Sequence, residues 1–248
     1  MRRRLVAGNW KMNKTVQESE SLIQSLCDDI ASVNDVEVLV CPPFVSLMKA
    51  SELLKSTSFK LGAQTVHQEL SGAFTGEISA PMLRSVGCDY VIIGHSERRQ
   101  YFGETDALVN QKLFLAFDHD ITPIVCIGET LEQREGDQTL AVITQQLTKG
   151  LASVSSTQQI VIAYEPVWAI GTGKVATPEQ AQEVHAFIRQ QLSTMMGAAY
   201  SDQTRLLYGG SVKPDNASEL ILQKDIDGFL VGGASLKSSD FSQIIQLS

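Results

Sequence analysis

The chain has 248 residues and a formal charge of −8, from 20 Lys and Arg against 28 Asp and Glu. Its 43% hydrophobic and 19% charged content is that of a folded globular protein and excludes disorder. The acidic balance argues against non-specific nucleic-acid binding, and no apolar run approaches the ~18–20 residues of a membrane span.

The basic start, Met1 to Arg4, leads into the apolar run Leu5-Val6-Ala7. Asn9 and Lys11 interrupt that run too early for the core of a signal peptide. Helical periodicity follows over Glu18 to Leu26, and then the run Val36-Glu37-Val38-Leu39-Val40. Further runs are Phe59-Lys60-Leu61, Tyr90-Val91-Ile92-Ile93, Ile121 to Ile127, Ile160-Val161-Ile162-Ala163, Leu206-Leu207-Tyr208 and Gly228-Phe229-Leu230-Val231. Residues 62–76 are polar and small, a long loop of the kind that is usually functional in a compact domain. After Ala176, Thr177 caps a helix with Pro178 in its first turn and Gln180 closing a capping box.

Eight strand-like runs alternating with helical segments imply a parallel sheet. Eight units at this length point to an α/β fold with a closed (β/α)8 barrel as one domain over residues 1–248. The alternative is a doubly wound open sheet, which would want a Gly-rich dinucleotide turn after its first strand. Gly8-Asn9-Trp10-Lys11 is not one. Cys27, Cys41, Cys88 and Cys126 have no CxxC or metal-type spacing and read as buried thiols of a reducing cytoplasm.

In a barrel, chemistry gathers where strands end. Those ends carry Asn9 and Lys11, then Gly94-His95-Ser96-Glu97, then Glu165, then Gly209-Gly210-Ser211, then Gly232-Gly233-Ala234-Ser235. The glycines of the last two let backbone N–H groups approach an anion, which suits a phosphate. A helical turn beginning after His95 would lower the pKa of its ring and keep it neutral. Glu97 reads either as a partner for Lys11 inside the barrel mouth or as a solvated acid. Beyond Glu165, Pro166 is rigid, Trp168 is large and apolar, and Gly171 and Gly173 are pliant, a pattern that suits a closing lid. His67, His119 and His185 carry no functional reading.

Five ordered motifs then fit one known family: Gly8-Asn9-Trp10-Lys11-Met12-Asn13, Gly94-His95-Ser96-Glu97-Arg98-Arg99, Tyr164 to Lys174, Tyr208-Gly209-Gly210-Ser211-Val212 and Gly232-Gly233-Ala234-Ser235-Leu236. With matching spacing from near residue 4 to near residue 247, the chain resembles the triosephosphate isomerases. The resemblance implies a TIM barrel that interconverts dihydroxyacetone phosphate and D-glyceraldehyde 3-phosphate, in glycolysis and gluconeogenesis, without metal or organic cofactor. It implies Glu165 as the base, His95 as a neutral electrophile and Lys11 as the cation that stabilises enediolate and phosphate, with Asn9 beside the oxyanion. Gly171, Ser211, Gly232 and Gly233 would hold the phosphate, and Glu97 and Cys126 would support the site. The lid would be Pro166, Val167, Trp168, Ala169, Ile170, Gly171, Thr172, Gly173, Lys174, Val175 and Ala176.

The loop from Thr65 to Ser79 also matches the family through Gly72-Ala73-Phe74-Thr75-Gly76-Glu77, and the resemblance implies a homodimer with Phe74 and Thr75 at the loop tip. Thr65 departs from the family's usual Asn and bears on loop packing and dimer strength. Two other functions compete. One is another phosphate-binding barrel enzyme, a Schiff-base aldolase or a lyase; an aldolase would need an inward lysine, for which Lys60 is the obvious strand residue and lacks an evident acidic partner. A binding module on a dead barrel would have lost a reactive group, yet Lys11, His95 and Glu165 are all present.

Overall fold

A computed structural model describes residues 2–31, 33–169 and 175–248. Eight parallel strands close into a barrel in sequence order. They are β1 (Arg4–Asn9), β2 (Val36–Cys41), β3 (Lys60–Ala63), β4 (Tyr90–Ile93), β5 (Thr122–Ile127), β6 (Val161–Tyr164), β7 (Arg205–Tyr208) and β8 (Gly228–Val231). β1 meets both neighbours, with Val6 opposite Val38 on β2 and Phe229 on β8, so the sheet has no edge.

The helices are α1 (Val16–Asp29), α2 (Leu47–Leu54), α3 (Ala80–Ser85), α4 (Ser96–Phe102), α5 (Asp106–Phe117), α6 (Leu131–Glu135), α7 (Thr139–Gly150), α8 (Pro178–Met196), α9 (Ala198–Gln203), α10 (Ala217–Ile221) and α11 (Ser238–Leu247). Several starts are set by side-chain caps. Thr15, Thr130 and Thr177 each form a reciprocal capping box, with Glu18, Gln133 and Gln180 respectively. Each box satisfies two backbone donors that a helix start leaves open. Among the described residues no helix is long and apolar enough to cross a membrane.

The strands read as near-continuous apolar runs because both their faces are buried. Alternate residues divide into two cores. Leu5, Ala7, Leu39, Ile92, Ile124, Ala163 and Leu230 fill the barrel. Val6, Val38, Ile93, Ile127, Ile162, Phe229 and Val231 face the helices. The period-2 split is what a pleated strand imposes. Cys41, Cys88 and Cys126 are buried free thiols. Cys27 is only half-buried, because α1 presents it at the margin of its apolar stripe rather than within it.

Beneath the β4 end, Glu104 accepts from the Gly94 N–H (2.7 Å), Arg98 Nε (2.9 Å) and Lys112 Nζ (2.8 Å). Glu104 and Lys112 are both buried. Burial pushes the Glu104 carboxyl up, but Lys112, Arg98 and the Gly94 amide outweigh it and leave its pKa lowered. A depressed folded pKa stabilises the protein above the unfolded value, and that contribution is lost as pH falls. Glu104→Gln strands a buried ammonium, and we expect a loss of about 3–5 kcal/mol in urea unfolding at neutral pH. A loss under about 1 kcal/mol would mean that water reaches Lys112.

Candidate active site

Glu165 follows directly on β6, whose last residue is Tyr164, and its carboxylate is almost fully buried at 2% exposure. One oxygen, Oε1, lies 2.9 Å from His95 Nε2. The other, Oε2, accepts from the backbone N–H of Ser96 at 2.9 Å. Burial pushes this carboxyl up, but His95, the Ser96 amide and Lys11 pull harder, and its pKa is lowered. In this arrangement Glu165 is a stabilised anion.

His95 is the N-cap of α4, and its Nδ1 accepts from the Glu97 N–H at 3.2 Å. That bond requires an unprotonated Nδ1, so the neutral ring carries its proton on Nε2, facing Glu165. Burial lowers the pKa of the ring, but the Glu165 carboxylate overrides it and the pKa is raised. This reverses the expectation from the helix terminus alone. A seven-residue helix is a weaker influence than a full charge at 2.9 Å.

Lys11 lies just past β1 with φ +51°, left-handed backbone that non-glycine residues seldom adopt. Asn9 Oδ1 accepts from its N–H at 3.1 Å, and Gln64 Nε2 donates to its carbonyl at 2.9 Å. These two side chains hold the strained turn that aims Lys11, and its Nζ is 2.6 Å from Glu97 Oε1. Gln64, Ser96 and Glu104 were not singled out by the sequence for this site. The polar side chain immediately after β3 is the one available signal for Gln64.

A cavity of about 720 Å³ joins these groups to Ser211, Gly232 and Gly233 at the β7 and β8 ends. Lys213 and Lys237 stand on its rim. The space is open to a small anionic ligand, with backbone at its far end and a cation at its near end. Gly209 packs against the base. A Cβ there would lie 2.9 Å from Glu165 Cγ and 3.2 Å from the Tyr164 carbonyl. Gly209→Ala therefore displaces the carboxylate. We expect kcat to fall about 10- to 100-fold with the fold intact, in line with a misplacement approaching 1 Å, measured in a steady-state assay beside a thermal melt.

Cys126 is buried on β5 near Glu165, and the nearby carboxylate raises the pKa of its thiol on top of burial. Of the expected lid, Val167–Ala169 form a short 3-10 turn, while Val175 and Ala176 precede the Thr177 cap. Trp168 Nε1 donates to Glu129 at 2.9 Å, and the Tyr164 hydroxyl donates to the same carboxylate. Arg134 pairs with Glu129 at 3.2 Å and stacks on the Trp168 ring at 4.7 Å. Ile170, Gly171, Thr172, Gly173 and Lys174 lie outside the described residues, and with them the expected phosphate contact of Gly171.

Lys60 starts β3, at the end of the barrel opposite the cavity, and has Asp89 3.7 Å away. It is neither inward at the site nor without an acidic neighbour, so the structure does not support a Schiff-base reading. His67 stacks on Phe74 at 4.2 Å, His119 bonds the Leu115 carbonyl, and His185 is buried between Tyr164 and Tyr208. Among the described residues no group of three His, Cys, Asp or Glu is placed to hold a metal ion.

Residues 4–248 match the family model described as Triosephosphate isomerase. A protein of that name from Endomicrobium trichonymphae is 54% identical over 250 residues, covering all of both chains. Those from Carboxydothermus hydrogenoformans and Herpetosiphon aurantiacus are 54% and 53% identical over 248 residues, covering 99% of each chain.

Proposed function

The chain belongs to the triosephosphate isomerase family, and from that premise we propose that it interconverts dihydroxyacetone phosphate and D-glyceraldehyde 3-phosphate. The observation that carries the reading is the convergence of Glu165, His95 and Lys11 on one cavity with a glycine-lined far end. Glu165 takes a proton from the carbon beside the carbonyl, and the electron pair moves onto the carbonyl oxygen. The Nε2–H of His95 donates to that oxygen, and Lys11 stabilises the developing negative charge. His95 passes its Nε2 proton to that oxygen and takes one back from the neighbouring hydroxyl, and Glu165 returns its proton to the adjacent carbon, which completes the exchange. Ser211, Gly232 and Gly233 line the far end of the cavity, where their backbone N–H groups hold the phosphate.

The order of events follows from the resting contacts. Substrate must part Glu165 from His95, because both groups need the same reacting atoms. Separation removes the carboxylate that raises the pKa of His95, and burial then favours the neutral ring. Leaving His95 also removes the partner that most lowers the Glu165 pKa, so burial then raises its basicity, and a closed lid excludes water from the enediolate.

The reading is tested by a coupled assay in both directions with purified protein and no added metal. Turnover of both trioses supports it. A folded protein with no turnover would overturn it.

We further propose a homodimer in the cytoplasm, the latter on the free thiols alone. Large apolar side chains stand exposed on the segments that follow the first four strands: Met12 at 96%, Val45, Phe74, and Tyr101 and Phe102 on α4. Successive β-strands bring these segments to one side, where a second copy would cover them. Thr65 is buried beneath this loop, and Lys112 Nζ approaches its hydroxyl at 3.4 Å. Replacing Phe74 and Thr75 with two glycines is expected to raise the dimer dissociation constant at least about 100-fold, read by sedimentation at low concentration. An unchanged profile would place the interface elsewhere.

A further inference from the structure

A second cavity of about 760 Å³ lies behind the base, sharing only Glu97 and Glu165 with the substrate cavity. Glu165 is thus a partition with space on both sides. Tyr101, Ile127, Leu131 and Trp168 supply the apolar wall of the far side, beside the polar side chains of Gln100, Thr130, Gln133 and Gln146. Val167 and Trp168 carry it to the base of the lid segment.

Among the described residues that line it, the charges are one guanidinium and two carboxylates. Arg99 is already committed: it pairs with Asp106 at 2.6 Å and donates to the carbonyls of Gly94 and Cys126. Glu165 is held by His95 and Ser96. Glu97 bonds Lys11 through Oε1 only. Its Oε2 has no hydrogen bond among the described residues and comes no nearer than 3.7 Å to His95 Nδ1. Because Nδ1 itself accepts from the Glu97 N–H, it has no proton to offer that oxygen. Among the described lining residues an anion entering this space would meet two carboxylates and no uncommitted cation. A cation would meet an open carboxylate oxygen.

We propose that this cavity is a binding site for a small aromatic amine, with the ring against Trp168 and Leu131 and the ammonium on Glu97. Its preference is opposite in sign to that of the substrate cavity, so the ligand does not compete for the phosphate subsite. Its effect follows from what it touches. It holds Glu165 in the Ser96-bonded position and wedges the Val167–Trp168 turn, so chemistry slows while substrate still binds.

The test uses N,N-dimethylbenzylamine, which is protonated at neutral pH and, as a tertiary amine, forms no imine with the aldehyde substrate. Calorimetry on the intact protein is expected to give saturable binding near 1 mM, the range for a ligand of this size. Binding should fall in the order amine, benzyl alcohol, phenylacetate. With glyceraldehyde 3-phosphate as substrate, the amine should lower kcat and leave KM unchanged. Leu131→Trp fills the cavity and should abolish binding while unliganded turnover persists. Competitive inhibition, phenylacetate binding as well as the amine, unaltered binding to Leu131→Trp, or no saturable heat at ten times that concentration would each overturn the proposal. Calorimetry and the ligand order do not depend on catalysis, so they stand apart from the isomerase reading.

Discussion

Shortening Glu165 to aspartate is expected to lower kcat by about 100- to 1000-fold while KM stays within about threefold. The backbone at residue 165 is fixed from both sides. Its N–H bonds the Ile127 carbonyl at 2.7 Å, and Pro166 follows at once. The lost methylene therefore moves the carboxylate and not the chain. Aspartate keeps the charge and similar basicity, so the change isolates position. The phosphate subsite on β7 and β8 is untouched, and ground-state binding persists. Steady-state kinetics in both directions are the measurement. A kcat within threefold of the parent would show that the proton passes through another group. A rise in KM as large as the fall in kcat would make Glu165 a binding residue.

The candidate site was legible because its members stand at strand ends, and strands buried on both faces announce themselves as apolar runs. Tyr90–Ile93 and Gly228–Val231 have the bounds the pattern suggests. β3 is displaced, from an expected Phe59–Leu61 to Lys60–Ala63. Gly62 and Ala63 have weak strand preference, yet tertiary space decides, since a Cβ on Gly62 would sit 2.7 Å from Cys41 Sγ. What could not be read is the contact of residues far apart in the chain. Glu165 bonds Ser96 across 69 positions, and Gln64 bonds Lys11 across 53. The direction of the His95 shift was lost for the same reason. The local chain shows a helix start, while the carboxylate that outweighs it comes from another strand.

Lys11→Met is expected to cut kcat/KM by about three orders of magnitude. A unit charge about 4 Å from developing negative charge, at an effective dielectric near 20, is worth about 4 kcal/mol, or roughly 1000-fold in rate. Lys11 acts on both reacting groups: its charge lowers the pKa of Glu165 and opposes protonation of His95. Methionine keeps the length and volume of the stem. The φ of +51° strains any residue with a Cβ, so the backbone cost is the same for both, and Asn9 and Gln64 still hold the turn through backbone atoms. Glu97 loses its partner but its side chain is 40% exposed, so water takes over and the fold survives. The acid limb of kcat/KM supplies an independent reading. Removing the cation raises the pKa of Glu165, so protonation of the base, and the loss of activity with it, begins at higher pH than in the parent. A variant with near-parental kcat/KM, or with a fallen rate and an acid limb that does not move upward, would remove Lys11 from the electrostatics of proton transfer.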